Sequence, residues 1–141
     1  MTKYLLDTNI ILRFLLGDHK DHSPLAEGLF REAMEGKCVL ILTDVAIAEA
    51  VWVLMSFYKV NRSNTAEKLS KIIGSVGIKC PNQNQMLDAL DRFKTTSCDF
   101  FDCYLAAMAS DSEYHVASFN QSFKKFKDVT LWDKKSAQKK N

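Results

Sequence analysis

Apolar positions along the chain follow two alternating rhythms: short solid runs, and longer stretches in which they recur every three or four residues. The first run, residues 3–6, stops at Asp7-Thr8-Asn9, short polar side chains able to cap the helix that Ile10, Ile11, Phe14 and Leu15 pattern. This predicts a strand, a polar corner and a helix. Ser23-Pro24 reads as an N-cap followed by a first-turn proline, with Gly36 closing that helix. A solid run over 39–42 predicts a second strand, and Thr43 is placed to cap a long helix reaching about residue 58. The same reading gives a helix over 64–73, a strand over 76–80, and helices over 85–93 and 99–111. Short strands over 115–118 and 129–132 complete the pattern.

Strands that alternate with helices and read as unbroken apolar runs belong to a parallel sheet covered on both faces. The expected fold is therefore α/β, a three-layer α/β/α sandwich with a central parallel sheet. Ligands of such sheets bind beyond the carboxyl ends of the strands, so polar residues directly after strands are the first place to look for chemistry.

At 141 residues the chain suits one domain, expected over 1–133, followed by a basic, frayed tail over 134–141. Its 47% apolar and 26% charged residues are those of a globular protein and exclude extended disorder. No apolar stretch approaches the ~18 residues of a membrane span, and no signal peptide is evident, so a cytoplasmic location is expected and a membrane partner is not. The four cysteines (Cys38, Cys80, Cys98 and Cys103) form no C-x-x-C pair and read as reduced, core-lining thiols. The net charge of +2 is uneven: residues 124–141 carry seven lysines against two aspartates. Such a segment is either a solvated terminus or an arm that attracts phosphate.

Three places concentrate carboxylates. Asp7 follows the first strand, where it either caps the next helix or faces a ligand. Glu49 lies within V-A-I-A-E-A-V-W-V-L-M-S-F-Y (45–58), which is apolar on nearly every side and predicts a buried helix. A buried carboxylate must be protonated, bound to metal, or paired with a cation. The pairing alternative points to a distant Arg13 or Arg92. Asp99 and Asp102 open the helix D-F-F-D-C-Y-L-A-A-M-A at i, i+3 spacing, with Asp99 equally suited to capping. Carboxylates that converge without a cation need compensating positive charge. An all-oxygen set selects Mg²⁺ or Mn²⁺, an ion that acidifies bound water and stabilises charge on a phosphodiester under attack.

These segments resemble the PIN-domain family, especially the VapC-like toxin ribonucleases of type II toxin–antitoxin pairs. The resemblance rests on L-L-D-T-N-I-I-L-R-F-L at 5–15, D-V-A-I-A-E-A-V-W-V-L at 44–54 and D-F-F-D-C-Y-L-A-A-M-A at 99–109, with A-S-F-N-Q-S-F at 117–123 a weaker match. It implies a PIN fold, a metal-dependent endoribonuclease acting on RNA, a homodimer and a cognate antitoxin protein. It also implies Asp7, Glu49 and Asp102 as metal ligands, Asp99 as an adjacent catalytic acid, and Thr8, Asn9, Ser118 and Asn120 as supporting residues. The family commonly carries Thr-x-Asp, often followed by Asp-Phe, where this chain has Ser118-Phe119-Asn120 and Ser122-Phe123. Asn120 brings an amide that can offer a carbonyl oxygen or hold a water, but no charge.

Two other classes follow from the same residues. One is a PIN module that binds RNA or a protein without cutting. The other is phosphotransfer through Asp7, disfavoured because Asn9 stands where that chemistry places a second Asp. His19 and His22 read as a solvated loop. Trp52, Phe57 and Tyr58 read as core or dimer surface rather than as stacking platforms for bases.

Overall fold

Strand β2 (Cys38–Ile41) is the middle of a three-stranded parallel sheet in the computed structural model, which describes residues 1–135. It pairs with β1 (Thr2–Leu5) in the register Thr2 to Cys38 and Leu5 to Ile41, and with β3 (Ile78–Lys79) through Leu40 and Ile41. Both ladders run on by one bond at their carboxyl ends: the Leu6 N–H donates to the Ile41 carbonyl and the Leu42 N–H to that of Lys79. The helices are α1 (Thr8–Leu16), α2 (His22–Met34), α3 (Asp44–Ser56), α4 (Arg62–Ile73), α5 (Gln83–Thr95) and α6 (Phe100–Ser110). They pack as α1 on α2 and α3, and as α4 on α5 on α6, making the α/β sandwich that the pattern predicts.

Local chemistry accounts for most boundaries. The Thr43 hydroxyl accepts the Ala46 N–H and starts α3, and the Asn61 side chain does the same for α4. Gly17 ends α1 in the left-handed region at φ 58°. Gly77 is more constrained, because at φ 86° a Cβ placed there would lie 2.4 Å from the Ala33 carbonyl oxygen. Only glycine therefore lets the entry to β3 pass so close to the end of α2. The core comprises residues such as Ile11, Leu40, Ile47, Leu54, Leu69 and Leu90, all wholly buried.

Four expectations need correction. Ser23 does not cap α2. The helix begins at His22, and the Ser23 hydroxyl instead accepts the His19 N–H from inside the first turn. Helix α3 stops at Ser56, short of residue 58. The last two strands shrink to one parallel bridge, Val116 to Leu131, so the described sheet has three strands. Strand β1 is exposed along all four residues rather than buried. The expected basic tail lies outside the described residues from 136 onward, and among those described no helix is long and apolar enough to cross a membrane.

Candidate active site

The chain leaves β1 through Leu6 and enters α1 at Asp7, an exposed residue in extended conformation (φ −75°, ψ 148°). Its main-chain carbonyl accepts the Ile10 N–H, but its carboxylate caps nothing. The next residue, Thr8, is buried and donates its hydroxyl to Glu49 Oε2 at 3.2 Å. The first turn of α1 is thereby tied to the middle of α3, with Asp7 and Glu49 flanking the link. Asn9 is exposed in the same turn.

Glu49 is exposed, contrary to the buried carboxylate expected from its apolar helix. The helix has two apolar sides and buries only one. Ala46, Ile47, Ala50, Val51 and Leu54 face the core, whereas Val45 is 76% and Trp52 67% exposed. Glu49 therefore needs no buried counter-ion, and neither suggested arginine supplies one. Arg13 pairs with Asp18 at 2.9 Å and donates to the Tyr58 hydroxyl. Arg92 pairs with Asp88 and Asp128.

A second group forms where α6 meets the 3-10 helix Gln121–Lys125. Asp102, in the first turn of α6, accepts the Asn120 side-chain amide at 3.0 Å and the Ser122 hydroxyl at 3.2 Å on the same oxygen, Oδ2. An acid here also complements the positive end of the helix dipole. The carbonyl oxygen of the Asn120 side chain accepts the Ser122 N–H at 3.0 Å, and the Ser118 hydroxyl accepts the Asn120 N–H at 2.9 Å. Asn120 is thus a neutral clamp: its amide holds Asp102 while its carbonyl caps the following turn. A carboxylate at 120 keeps the second role and loses the first.

Asp99 stands elsewhere. It occupies the N-cap position of α6 without making a side-chain cap bond, and lines a groove of about 670 Å³ with Trp52, Met55, Arg62, Phe101 and Tyr104. Asp102 does not line that groove. The residue sequence reasoning passed over is Asp44, which opens α3 directly after Thr43 and β2. It accepts the Asn82 amide at 2.8 Å and the Tyr104 hydroxyl at 3.0 Å, joining α3 to α6 and to the start of α5. Burial, reinforced by the Asp44 carboxylate, holds the Tyr104 phenol above its usual value and keeps it a donor. The signal was an acid following a strand, the same placement that singled out Asp7.

The model of the PIN domain family matches residues 4–129, a span that includes every one of these carboxylates. The chain belongs to the PIN domain family. No curated protein matches it significantly. PIN domains are typically nucleases that use divalent metal ions.

In kind, the donors of this PIN domain fit such an ion. Asp7, Glu49 and Asp102 offer hard oxygens, and among the described residues none of them is paired with Lys, Arg or His. In position they do not yet fit, because no three His, Cys, Asp or Glu side chains among the described residues lie close enough to hold an ion together. Thr8 ties the turn that carries Asp7 to Glu49, and Asn120 and Ser122 hold Asp102.

Proposed function

We propose that this PIN domain is an endoribonuclease dependent on Mg²⁺ or Mn²⁺, with Asp7, Glu49 and Asp102 as the metal ligands. The observation that carries this reading is the set of three acids without paired cations among the described residues, contributed by the three segments that resemble the family's motifs. A divalent ion of this kind acidifies a water and stabilises charge building on a phosphodiester, and to hold one here the three acids would have to draw closer than they stand. The chain's own residues have separable tasks. Thr8 holds Glu49 toward α1, Asn120 and Ser122 hold Asp102, and Ser118 fixes the turn that presents Asn120. Asn9, exposed beside Asp7, completes the polar corner, while Asp99 contributes charge from the groove side.

The biological role we infer is that of the toxin in a toxin–antitoxin pair, silenced by an antitoxin protein that covers the acidic site. A homodimer is supported by the outer face of α3. Val45, Ala48, Trp52 and Met55, with Phe101 from α6, form a contiguous apolar surface around the groove, and a surface of this kind marks an interface more often than a bare monomer. Trp52→Arg is expected to halve the solution mass of a dimer. A second reading, RNA binding without cleavage, is favoured by the engagement of both ends of the Asn120 amide. Incubating the purified protein with structured RNA and Mn²⁺ decides between them. Cleavage that disappears in Asp7→Ala supports the nuclease, and intact RNA at enzyme excess supports the binding module.

A further inference from the structure

One feature outside the carboxylates stands beside them. The loop from Ser118 to Ser122 is turned twice by its own side chains, Ser118 accepting from Asn120 N–H and Asn120 from Ser122 N–H, and Phe119 is left at its outer point. That ring is 77% exposed, although burying it elsewhere would gain roughly 2 kcal/mol. Trp132 meets it edge to face, with centroids 5.8 Å apart and planes at 75°, and is itself 40% exposed. Both rings ride on anchored backbone: the Trp132 N–H donates to the Val116 carbonyl at 2.8 Å, beside the bridge of Val116 to Leu131. The Lys134 ammonium lies 5.6 Å from the centre of the Phe119 ring. Exposed Lys124, Lys127 and Lys135 belong to the same stretch of chain, where Asp128 is already engaged by Arg92.

We propose that Phe119 and Trp132 form a stacking platform for one unpaired base of an RNA, with Lys134 taking the adjoining phosphate. The platform is one residue from Asn120, whose amide touches Asp102, so a nucleotide stacked on Phe119 lies on the Asp102 side of the molecule. Stacking on aromatic rings is worth about 1–3 kcal/mol per base and tolerates any base, because every base has a π-face. An anchored pair of rings avoids most of the ordering cost of a flexible side chain. The proposal deepens the nuclease reading by naming where its substrate is gripped, and it rests on that reading for the nature of the ligand.

The test uses Trp52→Phe protein, in which Trp132 is the only indole, titrated with a single-stranded RNA twelve-mer in EDTA. Saturable quenching of Trp132 is expected. Phe119→Ala is expected to weaken binding about 5–150-fold, the stacking range converted at 1.4 kcal/mol per tenfold. Phe119→Tyr should restore it, and Lys134→Gln should lower the salt slope by about 1. A twelve-mer with abasic sites should bind wild type and Phe119→Ala alike. Unchanged affinity in Phe119→Ala, equal binding of normal and abasic RNA, or no quenching of Trp132 overturns the platform. Cleavage assays separate this from the parent reading. Phe119-dependent binding without Mn²⁺-dependent cleavage removes the nuclease and leaves the platform. Cleavage with an unaltered KM in Phe119→Ala does the reverse.

Discussion

Replacing Asn120 by Asp isolates the clamp on Asp102. The substitution keeps the oxygen that accepts the Ser122 N–H but turns the donor at 3.0 Å from Asp102 Oδ2 into a second carboxylate oxygen. A hydrogen bond to a charged group contributes about 1.5–3 kcal/mol when sheltered, and about 1 kcal/mol at an exposed site such as this. Two like charges about 3 Å apart add roughly 1.4 kcal/mol of repulsion at the dielectric constant of water, and more in the half-buried setting of Asp102. The expected loss is about 2–3 kcal/mol near neutral pH, or about 6–10 °C in Tm for a chain of this length. A divalent cation should reverse the sign. Mn²⁺ added to the variant should raise Tm more than it raises that of wild type, and turnover on RNA should rise with it. Thermal melts at pH 7.5 in EDTA and in Mn²⁺ provide the assay. Equal melting of the two proteins in EDTA, or an equal response to Mn²⁺, would refute the clamp.

Three further outcomes are expected. Gly77→Ala should lower Tm by well over 5 °C, because it forces a Cβ against the Ala33 carbonyl at a positive φ, whereas Gly28→Ala, with open space around it, should change Tm little or raise it. The Arg92 guanidinium holds the Asp128 carboxyl below its usual value. The stability this adds is present above the ordinary carboxylate pKa and is lost as pH falls through the lowered one. With Asp128 more than half exposed, Asp128→Asn should cost under about 1 kcal/mol at pH 7 and progressively less as pH falls below the ordinary carboxylate range, as urea melts across that range would show. Burial pushes the Cys103 thiol up to about 11, and the other three cysteines are buried too. Native protein at pH 8 should resist iodoacetamide and label fully in guanidinium, so rapid native labelling would contradict this packing.

Much of this molecule was legible in its sequence because its signals are local. Thr43 reads as a cap and is one, and the solid run at β2 reads as a strand and is one, the middle one of the sheet. The alternation of such runs with helical spacing implied the parallel α/β sandwich. The failures arise where a local pattern has two physical causes. An apolar helix signals burial, yet α3 buries one side and exposes Trp52 on the other, since periodicity cannot separate a core face from an exposed apolar face. Residues 115–118 and 129–132 are short, and a pair of brief apolar runs does not reveal that only Val116 and Leu131 meet. The function of Asn120 was invisible for a different reason: an amide has two ends, and only geometry shows that one holds Asp102 while the other caps a turn. Phe119 passed unnoticed because nothing in sequence marks an aromatic ring as exposed.

Whether acids from three separate segments serve one ion is read most directly by anomalous diffraction at the manganese edge from crystals soaked in Mn²⁺. A nuclease of the proposed kind shows a peak touched by carboxylate oxygens of Asp7, Glu49 and Asp102. A peak held by other residues, or no peak at saturating Mn²⁺, contradicts that proposal.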